Sequence, residues 1–296
     1  MIKFTLQLKE EDIEKVNTFL LESEFLECVI DRNCESGLCC VCGYFENKAA
    51  GEKIFKTIVD KFATEGEISV EFIAEANWVN EYKKYCQPWS YRQLFWIPLW
   101  MKDEVVVPSE DCVPVYIDAG MAFGTGMHET TRLCARALMM FAAIYRNDNG
   151  WCVKKCIDVG CGTGILGISA IKCGLQRALL IDNDKNAIAV SRENAAHNGI
   201  DSSSINYLCA DLKLGLLGRE ADLVFANISA NALVENSDIL ASSVKPGGML
   251  CLSGILIAEM PDIHAAFEKS FGKFWISYIE NKAKYGEWGM FTFLRG

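Results

Sequence analysis

Apolar positions along this chain recur first with a period of two, then of three to four, and that switching continues to the end of the sequence. Ile2 to Leu8 alternates as a half-buried strand does, whereas Ile13, Val16 and Leu20 stand at helical spacing within residues 11–21. Two short apolar runs follow at 26–30 and 38–44, then a helical stretch over 48–62 and a strand over 68–72. Strand, helix, strand, strand, helix, strand is the order of a ferredoxin-like α+β unit, which needs little more than about 70 residues.

From Trp78 the pattern changes. Trp78, Tyr82 and Tyr85 have helical spacing, and Trp89, Tyr91, Phe95, Trp96 and Trp100 follow closely. Such a run reads as a packed interdomain hinge. Beyond a short strand at 113–118, strands near 155–159, 178–182, 205–208, 222–227 and 249–253 enclose helical patterns at 165–172, 185–198 and 232–243. That alternation predicts a doubly wound, mostly parallel sheet with helices on both faces. The segments 274–280 and 287–294 alternate like an antiparallel hairpin turned near 284–286, expected at one sheet edge. The expected division is a small unit at 1–75, an aromatic linker at 76–112 and an α/β domain at 113–296.

Composition narrows the function classes. About half of the 296 residues are apolar, enough for a large core, yet no stretch approaches the roughly 18–20 uncharged apolar residues of a membrane span. The start, Met1-Ile2-Lys3-Phe4-Thr5-Leu6, has no signal-peptide pattern, so the expected location is the cytoplasm. Fourteen cysteines are scattered, many of them inside apolar segments, such as Cys134, Cys156, Cys173 and Cys251, where they read as small hydrophobes. Cys39, Cys40 and Cys42 have no second pair at zinc-site spacing, and no metal is expected. Residues 1–75 hold 16 acidic and 8 basic side chains, most of the chain's net charge of −10. An acidic small domain repels nucleic acid and membrane phosphate and favours a basic protein partner; a merely solvated acidic face is the competing account.

The chemistry concentrates in one turn. Residues 157–167 run Ile-Asp-Val-Gly-Cys-Gly-Thr-Gly-Ile-Leu-Gly, from a strand end through Gly160, Gly162 and Gly164 into a helix. Glycines there let the backbone approach a nucleoside-bearing ligand closely. Asp182 ends the next strand, where a carboxylate accepts hydrogen bonds from ribose hydroxyls. The string Gly162 to Gly167 satisfies the dinucleotide fingerprint, so a nicotinamide enzyme is one reading. The glycine series beginning at Gly160 behind Asp158, Asp182 followed by Asn183-Asp184, and a fourth strand ending in Asn227-Ile228-Ser229-Ala230 favour S-adenosylmethionine. An Asn carbonyl there can orient an amine for in-line methyl transfer, although an Asn before a helix can also simply cap it.

A second glycine loop, Ala122-Phe123-Gly124-Thr125-Gly126-Met127-His128-Glu129-Thr130-Thr131, precedes the domain's first parallel strand. Together with the 158–166 turn, the Asn227 element and Leu252-Ser253-Gly254-Ile255-Leu256, it resembles the ribosomal protein L-eleven methyltransferase family, PrmA, across roughly residues 76–260. The resemblance implies a class I methyltransferase (Rossmann-like) fold and a bacterial, monomeric enzyme. Its cofactor would be S-adenosylmethionine. It would methylate lysine and N-terminal amines of a large-subunit ribosomal protein, gripped by the N-terminal domain. It further implies cofactor contacts at Thr131, Asp158, Gly160, Gly162, Gly164, Asp182 and Asn227, with Phe123, Gly124, Thr125 and Gly126 walling the methionine end. Asn227 would also serve the incoming amine. Related enzymes often bind the adenine amino group at the position of Asp211, and His128 is expected to fix its loop. Family members usually carry Pro, Pro and Leu where Ala119, Glu129 and Ser229 stand.

Overall fold

The computed structural model describes residues 2–22, 28–31, 39–45, 47–62, 68–72, 86–118, 126–147, 150–151 and 154–296. They divide into two compact units, 1–85 and 86–296.

In the first unit, β1 (Ile2–Gln7), α1 (Ile13–Glu22), β2 (Cys28–Asp31), β3 (Cys40–Phe45), α2 (Lys48–Phe62) and β4 (Ser69–Phe72) follow in the expected order. The strands form one antiparallel sheet, β2-β3-β1-β4, with the two halves of the unit interleaved as in ferredoxin-like folds. Alternation in β1 buries Ile2, Phe4 and Leu6 against Val16 and Leu20 of α1 and Phe55 and Ile58 of α2. Phe4 meets Phe45 edge to face, with ring centroids 5.6 Å apart. Cys40 and Cys42 of β3 are buried.

The second unit opens with a three-stranded sheet, β5 (Trp89–Tyr91), β6 (Leu94–Pro98) and β7 (Val113–Ile117). Residues 86–112 thus belong to the second unit instead of standing free as a linker, and 76–85 lie outside the described residues. The reason is burial: Trp89 and Trp96 stack at 3.9 Å, and the buried Trp96 indole N–H donates to Ser169 Oγ at 2.9 Å. Helix α3 (Glu129–Tyr145) is apolar on most of its surface, with ten buried residues including Leu133, Leu138 and Phe141. A short ladder, β8 (Arg146–Asn147) with β9 (Gly150–Trp151), follows it.

Then come β10 (Lys155–Val159), α4 (Ile165–Lys172), β11 (Arg177–Asp182), α5 (Lys185–His197), β12 (Ile205–Cys209), α6 (Leu212–Leu216) and β13 (Ala221–Asn227). After them stand α7 (Ala230–Glu235), α8 (Ser237–Ser242), β14 (Val244–Leu256), α9 (Met260–Lys273), β15 (Tyr278–Tyr285) and β16 (Trp288–Arg295). The sheet order is β12-β11-β10-β13-β14-β16-β15, parallel from β12 to β14 and antiparallel at the β16-β15 edge. This is the class I methyltransferase fold. Chain order reverses direction in the sheet between β10 and β13, so the crevice at their carboxyl ends is where such a sheet binds a ligand.

Three local expectations shift. The pattern at 232–243 forms two short helices, broken at Asn236. Met260, Ile263, Phe267 and Phe271 form the buried face of α9, a helix absent from the sequence reading. The alternation at 274–280 starts late: Phe274 N–H still donates to Ser270 O, Trp275 turns the chain with φ +54°, and pairing begins at Tyr278. Among the described residues no helix is long and apolar enough to cross a membrane, and no three His, Cys, Asp or Glu residues are grouped to hold a metal.

Candidate functional site

β10 ends in a loop whose three glycines all adopt left-handed backbone, with φ of 64° at Gly160, 50° at Gly162 and 78° at Gly164. Any other residue would be strained there by about 1–2 kcal/mol each. Packing adds a second demand: a Cβ at Gly160 would stand 2.5 Å from Ile228 Cγ2, and one at Gly164 2.9 Å from Ser191 Cβ. So Gly160 and Gly164 serve the protein's own close packing.

Hydrogen bonds from β11 hold the loop. The N–H groups of Gly160 and Cys161 donate to Ile181 O at 2.8 and 3.1 Å. Gly162 N–H donates to Asp182 Oδ2 at 2.9 Å, and Asp184 N–H to Asp182 Oδ1 at 3.0 Å. Each bond uses one acceptor site of a carboxylate that offers about four, so Asp182 braces the loop and keeps capacity for two hydroxyl donors.

Asp158 has a different place from the one expected. It is 1% exposed, behind the loop, and its Oδ2 accepts Gly167 N–H of α4 at 2.9 Å. It therefore positions the turn from within. Burial pushes its carboxyl up to about 7, opposed by the Gly167 bond and helped by the charge of Asp182. The sign follows: between the ordinary value of about 3.8 and about 7 the folded form holds the proton more tightly, so stability is lost as pH rises through that window. The full effect is at most about 4 kcal/mol. Urea unfolding at about pH 5 and about pH 8 should show this decline, and Asp158→Asn should flatten it; an equal decline in both proteins would refute the assignment.

The second glycine loop enters from the other side. Phe123, Gly124 and Thr125 lie outside the described residues. A Cβ at Gly126 would fall 2.8 Å from Ile165 Cδ1, which sets this loop against the first turn of α4. His128 shares a hydrogen with Thr130 Oγ1 at 2.9 Å, and its ring meets Trp288 at 4.7 Å. Thr131, 2% exposed, donates its N–H to His128 O at 3.1 Å. His128 thus secures the start of α3.

Asn227 ends β13 in register with Ser253 of β14, whose Oγ donates to Thr130 O at 3.3 Å. Gly254, with φ +83°, lies so close under the Asn227-Ile228-Ser229 turn that a Cβ would sit 2.3 Å from Ile228 O. Ile228 in turn covers Gly160. Segments 126–131, 158–164, 227–230 and 252–256 are thereby joined through Thr130, Ser253, Ile228 and Gly160. The residue that precedes α7 as its N-cap is Ser229, and the Asn227 side chain makes no hydrogen bond with the described residues. Capping therefore does not account for Asn227.

A cleft of about 1080 Å³ opens at the carboxyl ends of β10, β11 and β12. Pockets for small ligands span roughly 300–1,000 Å³, so it has room for a nucleoside-bearing cofactor. Gly160 and Asp182 line it. Asp211 also lines it and caps α6 through Leu214 N–H at 2.8 Å. Sequence reasoning missed the apolar walls, Leu212, Ile228 and Ile239, because their pattern is that of ordinary core positions.

Comparison with known proteins shows which family the chain resembles. The family model described as ribosomal protein L11 methyltransferase (PrmA) matches residues 6–295. A ribosomal protein L11 methyltransferase of Tolumonas auensis is 35% identical over 230 residues, 77% of this chain and 74% of that protein. One of Pseudomonas aeruginosa is 38% identical over 207 residues, 69% of this chain and 65% of that protein. Among solved structures, a ribosomal protein L11 methylase from Lactobacillus delbrueckii subsp. bulgaricus superposes with a TM-score of 0.59 at 28% identity, covering 69% of this chain and 96% of that one.

Proposed function

The chain belongs to the ribosomal protein L11 methyltransferase family, and from that premise we propose that it methylates lysine and N-terminal amines of ribosomal protein L11, using S-adenosylmethionine. The dinucleotide reading of Gly162 to Gly167 falls with that membership. The observation that carries the proposal is Asn227: a side chain with no hydrogen bond among the described residues, on a turn packed by Gly254 and Ile228 against the glycine turn of the cleft.

The residues fit the cofactor. Asp182 has acceptor sites left for a ribose, the left-handed glycine turn gives close backbone approach, and Asp211 stands at the far wall for an adenine amino group. When bound, the cofactor supplies a methyl group on a positively charged sulfur. The protein's task is then largely positioning. The Asn227 carbonyl accepts a hydrogen from the neutral amine and directs its lone pair along the line of transfer. The amine loses its proton to water beforehand, which leaves His128 to its structural part. The acidic residues 1–75 attract a basic ribosomal protein to the enzyme. The enzyme acts as a cytoplasmic monomer, without direct contact to nucleic acid.

Two measurements test this. Labelled S-adenosylmethionine, incubated with the protein and unmethylated ribosomal proteins, should place label on lysines or the N-terminus of L11, located by mass spectrometry. Label elsewhere would move the substrate, and no label would defeat the proposal. Asp182→Ala should weaken cofactor binding at least about tenfold, because it removes charge-assisted acceptors and releases Gly162. Unchanged affinity in calorimetry would exclude Asp182 as the ribose ligand.

A further inference from the structure

Away from the cofactor cleft, a hollow of about 250 Å³ lies between the β5-β6 turn, the outer face of α3 and the β15-β16 edge. Tyr91, Arg92, Arg136, Met140, Asn281 and Met290 line it. A second hollow of about 210 Å³ adjoins it and shares Arg92, Met139 and Ala143.

Its lining brings two arginines together beside methionines. The chain carries ten more acidic than basic residues, yet neither Arg92 nor Arg136 has an ion-pair partner among the described residues. Arg132, one helical turn earlier, also has no ion pair among the described residues, and its guanidinium rests 5.0 Å from the Trp89 ring centroid. Arg92 and Arg136 thus share the lining of one hollow with Met139, Met140 and Met290, side chains that adapt to apolar ligands. Guanidinium pairs carboxylate and phosphate oxygens through two parallel N–H donors.

Backbone strain is the second, independent observation. Arg92 sits in the two-residue turn between β5 and β6 with φ +53°, a conformation that hairpin turns ordinarily give to Gly, Asn or Asp. A β-turn with a strained arginine in place of glycine holds that guanidinium at the rim of the hollow. Strain kept in a fold is a pointer to a binding role.

We propose that this hollow binds a small organic anion, a carboxylate or phosphate monoester with a short apolar body. The guanidinium groups of Arg92 and Arg136 take the anionic head, and Met139, Met140 and Met290 take the apolar part. No residue lines both this hollow and the cofactor cleft, so the two sites are separate.

The test is methionine-methyl NMR of the full chain titrated with octanoate and with octyl phosphate, using neutral octanamide as control. Both anions should give saturable shifts at Met139, Met140 and Met290, with octanamide giving none that saturate. Combined Arg92→Ala and Arg136→Ala should weaken binding at least about tenfold. Arg92→Gly separates the site from a purely structural turn: it should raise the melting temperature by relieving the backbone and weaken anion binding several-fold. Equal shifts from octanamide, the lack of any saturable shift, or unchanged anion affinity in Arg92→Gly would each overturn the proposal.

Discussion

Asn227→Ala should lower the rate of methyl transfer at least about 100-fold, while cofactor affinity changes by no more than a few-fold. The side chain has no hydrogen bond to lose among the described residues, and Ser229 holds the N-cap position of α7, so the fold should stand unchanged. What disappears, on the proposed mechanism, is the acceptor that aligns the amine, an interaction made chiefly when the lone pair faces the methyl group. Single-turnover transfer of label, paired with calorimetric cofactor binding, separates the two effects. Asn227→Asp should recover part of the rate, since a carboxylate accepts the same hydrogens. A rate within about fivefold of the wild type in Asn227→Ala would remove Asn227 from the mechanism.

The second large effect is expected away from any group that touches substrate. In Gly254→Ala the new Cβ would lie 2.3 Å from Ile228 O and 2.9 Å from Ile228 C, both backbone atoms with no rotamer to yield, at a φ of +83°. The turn must move. Strain and displacement together should cost about 2–4 kcal/mol in urea unfolding. Transfer should fall more than cofactor affinity, because Ile228 covers Gly160 and the same turn carries Asn227. A variant with stability within about 0.5 kcal/mol and with normal transfer would show that the turn is not held from below.

Local chemistry made much of this legible. The alternation in 2–8, the helical spacing in 13–20 and the repeated strand-to-helix switching concern neighbours within a few residues, and the observed elements follow them closely. The glycine turn at 160–164 and Asp182 were readable because their residue types are demanded by backbone geometry and by a carboxylate's acceptors. Where two local signals competed, the reading slipped. Phe274, Ile276 and Tyr278 alternate like a strand, but backbone bonds to Ser270 and Gly272 carry the end of α9 through Trp275 first. The aromatic stretch after Trp89 resembles a hinge until Trp96 is seen buried against Ser169.

The sequence alone determined the class of fold, the glycine turn and the carboxylate of Asp182 at the next strand end, and it offered Asn227 as the candidate amine-orienting residue, since each is encoded within one short segment. The tertiary structure decided how those segments meet. Thr130 and Ser253 are 123 residues apart and bonded, Asp158 turns inward to Gly167, and Gly254 supports a turn some 26 residues earlier in the chain. The same holds for the apolar cleft walls and for Arg92 with Arg136, which no spacing rule connects. Sheet order and helix packing create these contacts between distant residues, and they depend on the burial of whole faces, which becomes definite only when the chain has closed on itself.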